Sequence, residues 1–349
     1  MANITFVASD STIGDGQNPD TMDYFMGVQY PWLSLVIPEL RKQTGKTIEV
    51  VNFLDSTVEW HKKECLILGP VWGYSRQQED FDHWLKQIEL LEIPMQNSVK
   101  FIRWNFQKTY LMDLQLGGLP VTPTIVATDG SNYDETMHRA QKLFHTDDLI
   151  LKGVVDAAAL GYRHIKPGDD VSEHFYHLLK QHKGAIIQPF LKEVGQKGEL
   201  SFVFFNGKYS HCFVKVPVKN EERVQPFYGG KSFHICDTDI AGSLAKIKES
   251  FRPDLQIRES EIVSGREQVQ LISELLAALL QKKNIENPMY KRIDGVMVDG
   301  KFLIMEIEGL EPYMEMKEAR EMDPGKNPAS SYVQAILNNL SKKDKHQTI

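Results

Sequence analysis

Apolar residues in the first hundred positions alternate between short continuous runs and helical stripes. Ile4 to Ser9 is an apolar run ending in polar turn residues, the pattern of a buried strand. Pro31 to Gln43 puts Leu33, Val36, Ile37 and Leu40 on one helical face. Ile48 to Leu54 and Glu64 to Leu68 read as strands, the second leading into Gly69-Pro70. Asp80 to Leu91 carries Phe81, Trp84, Leu85, Ile88 and Leu91 at helical spacing, and Pro94 to Asn97 reads as a short strand and turn. Strand and helix in alternation predict a parallel α/β sheet. Ser11 to Asp20, rich in Gly, Asp and Asn, reads as a loop.

The pattern then changes. Asn105 to Leu116 predicts a helix with Asn105 as its N-cap. Leu119-Pro120 and Thr122-Pro123 interrupt it. Pro123 to Ala127, Leu149 to Val155 and Ala185 to Phe190 read as strands, with Ser131 to Phe144 and Val171 to His182 as helices. Glu199 to Phe205 and Tyr209 to Val216 flank Asn206-Gly207, and Tyr290 to Val298 and Lys301 to Ile307 flank Asp299-Gly300. Such dipeptides between strand-like runs are hairpin signals. Glu221 to His234, with Gly229-Gly230, predicts a mobile loop. Gly265 to Lys282 predicts a long helix and Ser330 to Leu340 a last one, with a frayed, polar Ser341 to Ile349. The expected class is therefore α/β followed by α+β.

Bulk properties narrow the function. A chain of 349 residues exceeds what one core usually supports, so two or three subdomains are expected. The net charge of -7 argues against nucleic acid as a partner. Three scattered cysteines, Cys65, Cys212 and Cys236, with no CxxC pair, suit a reducing cytoplasm. The N-terminus lacks a basic n-region and reads as a strand rather than a signal peptide. No uninterrupted apolar stretch is long enough to span a membrane.

The chemistry concentrates in Lys291 to Pro312. Arg292 and Asp294 lie two apart on one strand, Glu306 and Glu308 two apart on the next, so each pair shares a face. Three carboxylates without His or Cys make a hard oxygen site suited to Mg²⁺, with Mn²⁺ as the other divalent candidate. The same alternation also describes an exposed strand face carrying solvated charge. The segment resembles the C-terminal hairpin of the ATP-grasp superfamily, R-x-D followed by E-x-N-x-x-P. Here it reads Arg292-Ile293-Asp294 and Glu306-Ile307-Glu308-Gly309-Leu310-Glu311-Pro312. Glu308 replaces the usual Asn, as in the subgroup resembling the D-cycloserine-forming ligase, whose motif is E-x-E-x-x-E-P.

The resemblance extends upstream and implies roles. Lys108, after Arg103-Trp104-Asn105, and Lys152 are similar to the two lysines that reach ATP phosphates. Gln188, Pro189, Phe190 and Leu191 are similar to the hinge whose backbone reads adenine. Glu199 is similar to the acid that bonds ribose, and Lys215 to a cation facing the triphosphate. Arg223, near Gly229-Gly230, resembles a closing-loop contact for a substrate carboxylate or acyl phosphate, for which a bidentate guanidinium is suited. Arg292 would stabilise the oxyanion, and Asp294, Glu306 and Glu308 would hold the metal. Trp72-Gly73-Tyr74 and Phe81-Asp82-His83-Trp84 fit the subgroup's N-terminal domain as aromatic core. The implied fold is ATP-grasp: an N-terminal parallel α/β domain over 1–118, a lid over 119–186, a C-terminal antiparallel-sheet subdomain over 187–340 and a flexible tail over 341–349.

The resemblance implies ligation: ATP activates a carboxylate of a small amino-acid-like substrate as an acyl phosphate, and a nitrogen attacks it. A homodimer is implied as well. Two alternatives stay open, a peptide- or protein-modifying ligase and a non-catalytic nucleotide-binding protein. The second draws on Gly153 to Gly161, where the subgroup's Pro and Ser/Gly-rich loop is replaced by small residues and Asp156. His174 and His177, three apart on a predicted helix, lack further matched ligands, and Cys212 and Cys236 read as structural thiols.

Overall fold

A computed structural model describes residues 3–9, 32–71, 73–323 and 325–346, the side chains of 32, 34 and 342–346 excepted. The Ser11 to Asp20 loop, Pro31 and Trp72 lie outside these residues. The expected alternation of strand and helix takes shape as a parallel sheet. Strands β1 (Ile4–Ala8), β2 (Ile48–Asn52), β3 (Cys65–Leu68) and β4 (Met95–Gln96) pair in the order β2-β1-β3-β4. Helix α1 (Trp32–Thr44) turns Val36 and Leu40 inward, and α2 (Gln78–Leu90) buries Phe81, Trp84, Leu85 and Ile88. Phe81 stacks on Trp84 and meets Phe53 edge-on there, which is the core role expected for this aromatic stretch.

The predicted single helix over Asn105 to Leu116 is two. Helix α3 (Val99–Phe106) is capped by Ser98, whose Oγ accepts from Phe101 N at 3.3 Å, and α4 (Tyr110–Leu116) follows a three-residue break. Asn105 therefore lies inside a helix rather than capping one, and Lys108 sits in the break.

A second sheet runs antiparallel in the order β5 (Ile125–Ala127), β8 (Ala185–Pro189), β6 (Leu149–Gly153), β7 (Arg163–Ile165). The third is also antiparallel, in the order β11 (Lys231–Ile235), β10 (Lys208–Val216), β9 (Glu199–Phe205), β12 (Tyr290–Val298), β13 (Lys301–Glu308). Both predicted hairpins form. Their turn residues have φ 47° and 77° at Asn206-Gly207 and 48° and 78° at Asp299-Gly300. Positive φ at both central positions is the turn whose twist matches the flanking strands, and Asn, Asp and Gly tolerate it.

Three expectations are corrected. Glu221 to His234 is not wholly a loop, because its end forms β11, held in register by β10. Lone propensity there is weak, and the strand gains its ladder from a neighbour. The last helix spans Pro328–His346, so much of the expected tail continues it. The long helix begins at Glu259 rather than Gly265, since Glu261 returns a bond to Arg258 N at 3.1 Å and closes the first turn. The outer edge of β13 is covered by Pro120 to Thr122, with Thr122 N donating to Ile304 O at 2.8 Å and Ile304 N to Pro120 O at 2.8 Å. That covering removes an open edge beside the site.

Candidate active site

The register of β12 and β13 sets Arg292 opposite Glu308 and Asp294 opposite Glu306. All four charged side chains thus share one face, as their spacing predicts. A bulge falls between Asp294 and Gly295, where a Cβ at Gly295 would stand 2.3 Å from Leu303 O. Only glycine lets the partner strand approach this closely next to the acidic pair.

These charges are buried and matched. Arg292 is 3% exposed and Asp294 1%. Arg292 forks onto Asp294, Nε to Oδ1 at 2.8 Å and Nη2 to Oδ2 at 2.7 Å. Nη2 also lies 2.6 Å from Glu308 Oε1, and Nη1 donates to Tyr313 O at 2.8 Å. From β10, Lys215 Nζ donates to Asp294 Oδ2 at 2.9 Å and Glu199 Oε1 at 2.8 Å. From the break between α3 and α4, Lys108 donates to Glu306.

Burial opposes ionisation of each acid, and the outcome depends on the cations. At Asp294, Arg292 and Lys215 outweigh burial and hold the carboxyl well below its usual range. At Glu306, Lys108 does the same. Glu308 goes the other way: burial raises it to about 7, Asp294 and Glu306 add to the rise, and Arg292 only partly offsets them. Among the described residues no three His, Cys, Asp or Glu side chains group as metal ligands. Each acid turns instead to a cation, because a buried carboxylate is costly unless paired.

A cavity of about 760 Å³ opens above this face. Lys108, Lys152, Glu199, Lys215, Arg223, Arg292, Glu306 and Glu308 all line it. Asp294 does not, and lies beneath as the anchor of Arg292 and Lys215. Lys152 has no ion-pair partner among the described residues, and burial lowers its pKa.

No protein-family model matches the chain. It is 28% identical to the cycloserine biosynthesis protein DcsG of Streptomyces lavendulae over 190 residues, 51% of this chain and 60% of that protein. The match thus spans less than two thirds of that relative's length. The solved structure of D-cycloserine synthetase DcsG superimposes with a TM-score of 0.70 at 21% identity, over 97% of this chain and 99% of that one. D-alanine–D-alanine ligase from Bacillus anthracis gives 0.63 at 13%, over 99% and 100%. A RimK-domain ATP-grasp protein from Sphaerobacter thermophilus gives 0.55 at 10%, over 96% and 99%. The chain has the ATP-grasp fold.

Within that fold the Gln188 to Leu191 segment does not line the cavity, although Val194 just beyond it does. Gln188 Nε2 donates to Thr124 Oγ1 at 2.9 Å, Phe190 stacks on His164 at 4.0 Å, and Leu191 packs with Val194. Arg223 lines the cavity but is clasped by Glu221, Nε to Oε1 at 2.9 Å and Nη2 to Oε2 at 2.8 Å, over the Tyr228 ring at 3.6 Å.

The loop over Gly153 to Gly161 is internally braced. Asp156 Oδ2 accepts from Gly161 N at 3.0 Å, and Ala158 and Ala159 take φ of 54° and 56°. Burial raises the Asp156 pKa. Its other oxygen, Oδ1, has no hydrogen-bond partner, and Asp156 lines the cavity. His174 Nε2 meets Gly161 O at 3.0 Å and His182 Nδ1 meets Val155 O at 2.8 Å, so both rings brace this loop. Cys212 and Cys236 are free thiols.

Sequence reasoning missed the residues that hold β13. Asn105 Nδ2 donates to Ile307 O at 2.7 Å, and Gly309 N donates to Asn105 Oδ1 at 2.9 Å. Tyr110 OH donates to Ile307 O at 3.1 Å and accepts from Ile307 N at 2.8 Å. These bonds grip the backbone between Glu306 and Glu308 and fix where both carboxylates point. Asn105 was visible only as a cap candidate, and nothing local marks Tyr110. Tyr313, Glu315 and Glu318 also line the cavity and carry no spacing signal.

Proposed function

We propose that the chain is an ATP-dependent ligase that joins a carboxylate to a nitrogen through an acyl phosphate, acting on an amino-acid-like substrate. The supporting observation is the cavity itself: Lys108, Lys152, Lys215 and Arg292 face it beside Glu306 and Glu308. Four cations around one space suit a polyphosphate, whose transfer chemistry relies on positioning and electrostatics. The names of the relatives, cycloserine biosynthesis and D-alanine–D-alanine ligation, agree with this reading, and one Bacillus anthracis ligase structure of this fold is complexed with ATP.

The donor set also suits Mg²⁺. Glu308 is raised to about 7 by burial and by its acidic neighbours, with Arg292 only partly offsetting them, and the described residues that line the cavity offer carboxylate oxygens and no His or Cys. Glu306 and Glu308 would hold the ion, with Asp294 behind them; when bound, it neutralises charge on the phosphates. Lys108 and Lys152 orient the phosphates, and Lys215 extends the positive wall. Arg292, held rigid by Asp294 and Tyr313 O, stabilises the oxyanion as nitrogen attacks. Arg223 takes a substrate carboxylate by exchanging it for Glu221. The sheet of β5 to β8 serves as the lid that excludes water, which would otherwise hydrolyse the acyl phosphate.

Glu306→Gln tests this. It keeps shape and removes one charge, and ADP release is expected to fall by on the order of a hundredfold or more, with the circular dichroism spectrum and melting transition retained. ADP release at the parental rate would sink the assignment. A second reading, nucleotide binding without turnover, draws on Asp156 in place of the usual small polar loop. ATP binding with no ADP formed across amino acids and peptides would favour it.

A further inference from the structure

One part of the cavity remains without a role in this scheme. Beyond Arg292 the chain turns through Tyr313 to helix α5 (Met316–Met322), and Glu315 and Glu318 face the same space. Glu315 is 3% exposed, yet its Oε2 finds no hydrogen-bond partner, and neither does Oε2 of Glu318. Tyr313 OH lies 3.2 Å from Glu318 Oε1 and orients that carboxyl. Ser232 gives Glu315 a side-chain hydrogen bond. Burial, then Glu318, raises Glu315 to about 8, and Lys215 and Arg292 only partly offset this. Both of those cations are already engaged, Lys215 by Glu199 and Asp294, and Arg292 by Asp294 and Glu308. An unpartnered carboxylate oxygen is costly in a dry wall and is relieved by a cation that donates hydrogen bonds.

We propose that Glu315 and Glu318 form a cation pocket in the cavity wall beside Tyr313 that binds an ammonium or amidinium group of the amino-acid-like substrate. The proposal rests on the ligase reading for the nature of the other substrate groups, and it adds the charge class of the substrate. The group is either the α-ammonium or a cationic side chain, both of which present N–H donors to a carboxylate pair.

Calorimetric binding in the presence of Mg²⁺ and a non-hydrolysable ATP analogue separates these. The probes are lysine against norleucine and arginine against citrulline, each with the α-amino group free or acetylated. Neutralising the recognised group is expected to weaken binding by about tenfold, and Glu315→Gln should weaken the parent cation by a similar factor while leaving its neutral counterpart unchanged. Dependence on acetylation assigns the α-ammonium, and dependence on the side-chain change assigns the side chain. Glu318→Gln, whose position is more open, serves if Glu315→Gln fails to fold. Equal affinity for cationic and neutral probes, no binding of any probe, or an unchanged preference in the variants overturns the pocket. ADP release measured on the same proteins keeps the two ideas apart. Turnover with no charge preference refutes the pocket alone, and charge-selective binding without ADP refutes the ligase alone.

Discussion

Arg292 and Lys291 are neighbours on one strand, both buried, and they settle their charge in opposite ways. Arg292 faces the cavity and meets Asp294, Glu308 and the Tyr313 carbonyl. Its pKa is raised, since the nearby acids outweigh burial. Lys291, 0% exposed, points to the other side of the sheet. Its Nζ reaches Asn287 Oδ1 at 3.3 Å and lies 5.6 Å from the Phe204 ring, and burial lowers it to about 7. The contrast teaches that burial sets the cost of a charge, and the partners decide whether the charge survives. The face with carboxylates is the one that meets the cavity; the face without them keeps a lysine poised to lose its proton.

Breaking the paired side should cost most. Arg292→Met leaves Asp294 and Glu308 facing each other, and a loss of about 3–5 kcal/mol in stability is expected from urea unfolding. A loss near zero would mean that Lys215 alone satisfies Asp294. Lys291→Met should act the other way, stabilising the protein by on the order of 2 kcal/mol at neutral pH by replacing a poorly paired buried amine with an isosteric apolar chain. The sign follows from proton counts. A lysine whose folded pKa is lowered holds fewer protons folded than unfolded between about pH 7 and its ordinary value near 10.5. Parental stability relative to Lys291→Met should therefore rise from pH 7 towards pH 10 and be flat below 7. A difference independent of pH would show that Lys291 stays charged throughout. The smallest effect is expected for Asn287→Ala, roughly 0.5–1 kcal/mol, because its bond to Lys291 is long and Asn287 is exposed. A cost equal to that of Arg292→Met would erase the contrast between the two faces.

Alternation and turn chemistry made much of this architecture legible. Asn206-Gly207 and Asp299-Gly300 announce their hairpins because only a few residue types accept the backbone those turns require. The two-residue spacing of Arg292 with Asp294 and of Glu306 with Glu308 announces a shared face because the strand period is two. Strand β11 and helix α5 were not legible, since their local sequence carries little pattern and their neighbours supply the reason to form.

The sequence by itself determined the local conformations and the residue types that the cavity has available, because propensity and periodicity act over a few residues. Tertiary structure alone decided that Lys108 meets Glu306 across 198 positions, that Asn105 and Tyr110 grip the strand around Ile307, and that Asp294 anchors cations rather than lining the cavity. Electrostatic pairing in a buried site depends on distance and on water exclusion, and neither quantity exists until the chain has closed on itself.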